Sequence, residues 1–241
     1  MKLFSRNIGQ NGAPIIILHG IFGTSDNWLG IAKAFADTNR VFLLDQRNHG
    51  QSPWSDEFDY QVMAADLKEF IDDNQLEKPI IIGHSMGGMI VQRYLKTGKA
   101  KKAILLASVP PSGVLFPSLR TLFRYPGAIP YLLQGNLLKA FQKYAKLFFN
   151  DNPLSEVYKP KLCAESFWAY LGLFIPVTHR IDCPVMVIGG SADGLISVHE
   201  FQQTAQQYQA PIEIIADGSH DLMLDEGWEK TAEVMVEWIA S

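Results

Sequence analysis

Pro79-Ile80-Ile81-Ile82-Gly83-His84-Ser85-Met86-Gly87-Gly88-Met89-Ile90-Val91 decides the fold of this chain. The isoleucines after Pro79 make a short continuous apolar run, the pattern of a strand covered on both faces. Met86, Ile90, Val91, Tyr94 and Leu95 then recur at the spacing of a helix packed on a sheet. Between the two lies Gly83-His84-Ser85-Met86-Gly87, a Gly-x-Ser-x-Gly turn of the nucleophile-elbow type. Such a turn holds its serine in a strained backbone conformation where strand and helix pass close together. Gly83 and Gly87 are expected there because a Cβ at either position would clash. The pentapeptide by itself arises often by chance; the strand before it and the helix after it carry the reading.

Outward from this turn the same alternation repeats. Leu3 to Ile8 is a short strand candidate, and Ile15-Ile16-Ile17-Leu18 is a buried strand ending in the glycine-rich loop His19-Gly20-Ile21-Phe22-Gly23. An amphipathic helix follows from about Asn27 to Ala36, then a strand at Arg40 to Leu44 and a helix at Tyr60 to Asp73. Ala103 to Ala107 and Pro184 to Ile188 read as further buried strands. Ile212 to Ile215 is the last strand, with helices at Val198 to Tyr208 and Gly227 to Ala240. Alternating strands and helices predict an α/β fold, a mainly parallel sheet with helices on both faces. In such sheets chemistry gathers beyond the carboxyl ends of the strands. The rhythm breaks at Val109-Pro110-Pro111. From there to about Arg180 the pattern is helical and rich in aromatics and prolines. The expected organisation is a core over 1–111, a helical cap over 112–178 inserted between strands, and the rest of the core over 179–241.

At 241 residues the chain can bury one full α/β core. A net charge of −4 gives no electrostatic case for nucleic-acid binding. No apolar run approaches the ~18–20 residues that span a bilayer, and the first residues lack the apolar segment of a secretory signal. A soluble cytoplasmic protein is expected, and no pattern specifies an oligomeric state. The two cysteines, Cys163 and Cys183, form no disulfide framework and read as inert packing residues.

A serine hydroxyl is a weak nucleophile at neutral pH and needs a base, itself oriented by an acid. On a sheet of this kind the expected chain order is serine, acid, histidine. His220 follows the last strand in Asp217-Gly218-Ser219-His220 and is the candidate base. Asp193 follows the strand ending at Ile188 and is the candidate acid, while Asp217 and Asp221 flank the base too closely. Asp225 and Glu226 read as charges favouring the start of the last helix. The tetrahedral intermediate needs two amide donors. Met86, after the nucleophile, supplies one; Ile21 supplies the second, with Phe22 as the fallback. Of the other histidines, His19 is expected to shape its loop, and His49, His84, His179 and His199 to be structural or exposed. Asp45-Gln46-Arg47-Asn48-His49-Gly50 reads as a turn buttressing the His19 loop, since no second cluster supplies the ligands of a metal site. Leu137 to Phe149 reads as one amphipathic helix with a lysine-rich face; such a helix can lie on a membrane, and the favoured reading is a cap helix with its apolar side over a pocket and its lysines in water.

These motifs together resemble the α/β-hydrolase superfamily. The matching positions are His19-Gly20-x-x-Gly23, Asp45-x-Arg47-x-His49-Gly50-x-Ser52, Gly83-His84-Ser85-Met86-Gly87-Gly88, Gly190-x-x-Asp193 and Gly218-x-His220. The first two look most like the small cytosolic esterase and thioesterase-like branch. The resemblance implies the α/β-hydrolase fold, Ser85 as nucleophile, Asp193 as acid, His220 as base, and Ile21 and Met86 as oxyanion donors. A serine where epoxide hydrolases and haloalkane dehalogenases carry aspartate argues against both.

The expectation is a cofactor-independent and metal-independent carboxylic-ester hydrolase, acting through a Ser85 acyl-enzyme on small to medium esters with an apolar acyl or alcohol group. A second reading keeps the triad for C–C bond hydrolysis or perhydrolysis, with Arg120, Arg124 and Lys139 available to a charged substrate tail. A third is a ligand-binding receptor on the same fold.

Overall fold

The apolar runs pair side by side in a computed structural model that describes residues 1–149 and 155–241. The strands are β1 (Ser5–Ile8), β2 (Pro14–Leu18), β3 (Arg40–Leu44), β4 (Ile80–His84), β5 (Lys102–Leu106), β6 (Val185–Gly190) and β7 (Ile212–Ile215). They form one seven-stranded sheet in the order β1-β3-β2-β4-β5-β6-β7. Edge strand β1 runs antiparallel to β3, and every other pair is parallel. The register aligns Leu18 with Gly83 and His84 with Leu106, so the carboxyl ends of β2, β4 and β5 lie side by side. The loops holding Ile21, Ser85 and Val109 therefore converge.

Side chains alternate across the sheet because strand residues point to opposite faces in turn. Ile16, Leu18, Ile81 and Leu105 enter one core with Met63, Leu67 and Phe70 of the helix α2, which lies beyond the first helix α1 in the chain. Ile15, Ile17, Ile82 and Ile104 enter the other with Ile31 and Phe35. Here α1 is Leu29–Phe35, preceded by a 3₁₀ turn at Ser25–Trp28, and α2 is Tyr60–Asp73. Helix α3 (Met86–Tyr94) leaves the elbow and packs against α2.

Between β5 and β6 the described residues form six α-helices and no strand: α4 (Leu115–Arg124), α5 (Ile129–Leu133), α6 (Leu137–Lys143), α7 (Lys146–Phe149), α8 (Ser155–Tyr158) and α9 (Phe167–Gly172). The chain closes with α10 (Val198–Tyr208), which carries a capping box between Ser197 and Glu200, and α11 (Trp228–Ala240). The single amphipathic helix expected over 137–149 is two helices. Tyr144 leaves helical geometry at ψ 41°, ending α6, and α7 then turns Leu147, Phe148 and Phe149 into the core. Lys139, Lys143 and Lys146 keep to solvent as the pattern implied. Part of the expected 112–178 segment, residues 150–154, lies outside the described residues.

Candidate active site

Ser85 sits at the strand-to-helix corner with φ 50° and ψ −115°. A side chain in that region is strained, at a typical cost of ~1–3 kcal/mol, and three backbone bonds hold it there. The Ser85 amide donates to Leu106 O at 3.1 Å, and its carbonyl accepts from Val109 at 3.1 Å and Met89 at 3.3 Å. The crowding expected of the glycines is present. A Cβ on Gly83 would lie 2.5 Å from Gly87 O, and one on Gly87 would lie 2.6 Å from both Leu18 O and His19 O.

His220 and Asp193 meet across two loops at adjacent strand ends. His220 Nδ1 donates to Asp193 Oδ2 at 2.8 Å, and both side chains are fully buried. The other carboxylate oxygen, Oδ1, accepts the amides of Leu195 at 2.7 Å and Ile196 at 2.9 Å. The carboxylate is thus fixed by the loop's own backbone through one oxygen while the other faces His220. With Nδ1 committed as donor, the neutral ring presents a lone pair at Nε2, which is buried without a partner among the described residues. Burial works against a charge on this ring, but the Asp193 carboxylate outweighs it and holds the His220 pKa above the ordinary histidine value.

Ser85, His220 and Ile21 line one cavity, partly open to solvent. Its walls come mainly from the helical insert, through residues such as Pro117, Thr121, Phe141 and Leu173, and among the described residues no Asp, Glu, Lys or Arg lines it. The amide of Met86, at the first position of α3, has no intrahelical acceptor. The amide of Ile21 makes no backbone hydrogen bond among the described residues. Phe22, the fallback, turns away: it is left-handed at φ 61°, and its ring is buried against Phe141 and Phe148. The amide of Phe22 likewise makes no backbone hydrogen bond among the described residues, so both amides stay available.

The His19 loop is fixed by polar contacts. The Gln46 amide donates to His19 Nε2 at 3.1 Å, which leaves Nδ1 to donate to Gly20 O at 2.8 Å. Gln46 Nε2 donates to His19 O at 2.7 Å. Asp45 accepts the amides of Ser25 and Gln51 through its two oxygens. Arg47 is clamped by Asp66 through both Nε and Nη2. Burial pushes His19 well below the ordinary histidine pKa, so it stays a neutral spacer.

Three residues matter more than their sequence context suggested. His84 is buried, donates Nε2 to the His220 carbonyl at 3.0 Å, and lies 3.5 Å from Asp221 Oδ1. Asp221 is itself buried, and burial pushes its carboxyl up to about 7. Glu165, in the insert, reaches His49 Nε2 at 2.9 Å. Its partner is 116 positions away in the chain, and no spacing could have linked a lone glutamate between Ala164 and Ser166 to it. Two expectations are corrected. Asp225 is drawn back to accept the Ser219 amide at 2.7 Å and hydroxyl at 2.6 Å, holding the loop before His220. Arg120, Arg124 and Lys139 do not line the cavity; Arg120 is ion-paired with Glu200 at 2.9 Å. Burial raises both cysteine thiols, Cys183 to about 11, so neither offers a thiolate at neutral pH.

Comparison with known proteins places the chain in a family. A family model described as "Alpha/beta hydrolase family" matches residues 15–234. Esterase YbfF of Escherichia coli is 41% identical over 82 residues, a stretch covering 34% of this chain and 32% of that protein. Non-heme chloroperoxidase CPO-A1 of Kitasatospora aureofaciens is 25% identical over 94% of this chain and 91% of its own length. Among solved structures, a marine microorganism esterase superposes with a TM-score of 0.74 at 26% identity, covering 98% of both chains.

Proposed function

The chain belongs to the alpha/beta hydrolase family, and from that premise we propose that it hydrolyses carboxylic esters through a covalent Ser85 acyl-enzyme. One observation carries the reading. His220 is oriented by Asp193 at 2.8 Å through Nδ1, leaving Nε2 unpartnered in the cavity that Ser85 also lines.

Ser85 Oγ attacks the ester carbonyl while His220 Nε2 takes the hydroxyl proton, forming an imidazolium stabilised by Asp193. The oxyanion receives the amides of Ile21 and Met86, the latter at a helix N-terminus whose dipole favours negative charge. Collapse of the intermediate expels the alcohol, which takes its proton from His220. Water then attacks the acyl-enzyme with the same base, releasing the acid and regenerating Ser85. Residues 112–178 act as a cap whose apolar side chains select uncharged small to medium esters. Similarity to esterase YbfF and to the marine esterase supports ester hydrolysis.

A second reading shares every step up to the acyl-enzyme. Similarity to a non-heme chloroperoxidase along nearly the whole chain favours testing whether hydrogen peroxide replaces water as the second nucleophile. C–C bond hydrolysis of a substrate with a charged tail is not favoured, because among the described residues no arginine or lysine lines the cavity.

The test is a chain-length panel of activated esters, with water alone or with added peroxide, on wild type and Ser85→Ala. An initial burst of alcohol, absent in Ser85→Ala, is expected. Undiminished turnover by the variant overturns the assignment, and peracid formation outpacing hydrolysis selects the second reading.

A further inference from the structure

Helix α4 is built inside out. Pro117, Ser118, Thr121 and Leu122 face the cavity, and Ser118 Oγ shares a hydrogen bond with Tyr170 Oη at 2.7 Å. The opposite stripe, Phe116, Leu119 and Phe123, is 68%, 55% and 92% exposed. Leu133 on α5 adds a further apolar side chain at 84% exposure. An amphipathic helix on a water-soluble surface normally hides its apolar stripe, and a contiguous exposed patch of this kind marks an interaction surface.

Charge identifies the partner. Residues 112–178 carry seven Lys and Arg against three Asp and Glu on a chain whose net charge is −4, and the excess of four falls to three once the Arg120–Glu200 pair is allowed for. Arg124 directly follows Phe123 on α4, and Lys139 and Lys143 are exposed on α6 of the same insert, where Lys143 sits over the Tyr131 ring of α5 at 5.2 Å. Exposed large apolar side chains on an insert that also exposes lysine and arginine fit the boundary of a bilayer, apolar groups entering the acyl region while the cations meet anionic headgroups. An acidic protein that concentrates positive charge on the insert bearing its apolar patch also turns its remaining surface away from such a membrane.

We propose that α4 docks this protein onto an anionic lipid surface through Phe116, Leu119 and Phe123, with Arg124, Lys139 and Lys143 engaging headgroups. The cavity lies directly behind this helix. Resting on the ester-hydrolase reading, docking therefore brings a membrane-dissolved ester to the rim of the site that Ser85 lines.

The experiment is co-sedimentation of the full chain with phosphatidylcholine vesicles, with and without about one-third phosphatidylglycerol. Wild type is expected to bind the phosphatidylglycerol vesicles, and raised salt is expected to weaken that binding. Leu119→Ser/Phe123→Ser and, separately, Arg124→Glu/Lys139→Glu are each expected to lower partitioning about tenfold or more. These side chains are exposed and lie outside the cavity, so thermal unfolding and turnover of a water-soluble ester should stay at wild-type levels. No binding by wild type, or equal binding by the apolar double variant, overturns the proposal. So does a light-scattering mass of two chains that falls to one in Leu119→Ser/Phe123→Ser, which assigns the stripe to a second copy. Sedimentation needs no turnover, so failure of the esterase reading leaves this result interpretable.

Discussion

His49 Nε2 lies 2.9 Å from Glu165 Oε2, joining the helical insert to the loops around the site. His49 Nδ1 faces the Arg47 carbonyl at 2.9 Å, and the His49 ring packs on His19 at 4.8 Å. Both polar partners of His49 are acceptors, so with Glu165 ionised the ring carries both protons. His19 in turn holds Gly20 O, one residue from Ile21. A carboxylate in the insert thus sets the rear of the loop that positions the proposed oxyanion donor.

Glu165→Gln should therefore lower stability in a pH-dependent way. Burial disfavours charge on His49, but the hydrogen bond and charge of Glu165 raise its pKa above the ordinary 6.5. A histidine raised in the folded state contributes its full stability below its unfolded pKa and loses it as pH climbs through the folded value. Thermal unfolding should show wild type ahead by about 1–3 kcal/mol near pH 6, narrowing by pH 9. A gap that does not change with pH would mean that the pair is not ionic.

The proposed base gives the acid limb of the activity profile. His220 must be unprotonated to accept the Ser85 proton, and its raised pKa places that limb above the ordinary histidine value. Asp193→Asn removes the leading cause of the raised value, so the limb should move to lower pH, with kcat falling by about 10⁴-fold. The pH dependence of kcat/KM for a soluble ester measures both.

Asp221 acts on the same titration without touching substrate. Burial pushes its own carboxyl up to about 7, so the negative charge that helps to raise the His220 pKa is present in full only above that value. Asp221→Asn should shift the acid limb downward while the plateau rate at pH 8–9 stays within about threefold. A fall in the plateau comparable to that of Asp193→Asn would show that Asp221 is the orienting acid instead.

Cavity width should set chain-length preference. Thr121 lines the cavity from α4 and is half-buried. Thr121→Phe is expected to lower kcat/KM for the longest accepted ester by about 10–100-fold and leave the shortest nearly unchanged, the scale of discrimination available to an apolar pocket. A uniform loss across the panel would place the acyl or alcohol chain elsewhere.

The core of the fold was legible because buried parallel strands write themselves as unbroken apolar runs. Ile15 to Leu18, Ile80 to Ile82 and Ala103 to Leu106 needed no tertiary information, and α2 and α10 fall where their periodicity predicts. The convergence of Ser85, Asp193 and His220 was legible because parallel topology delivers strand ends to one edge. The insert was not. A break at Tyr144 depends on Phe148 and Phe149 finding a core that only the folded sheet provides. The Glu165–His49 and His84–His220 contacts join segments 116 and 136 residues apart, and no local pattern encodes them. Asp225 looked like a helix-start charge because its spacing from α11 was correct; the Ser219 amide and hydroxyl compete for it more closely.

The central claim is that Ser85 becomes covalently acylated, and the direct measurement is intact-protein and peptide mass analysis after reaction with an activated phosphonate ester. The account predicts one adduct per chain on the peptide carrying Ser85, loss of esterase activity in step with labelling, and neither labelling nor turnover in Ser85→Ala. An adduct on another residue, or a Ser85→Ala protein that still hydrolyses esters at the wild-type rate, would contradict it.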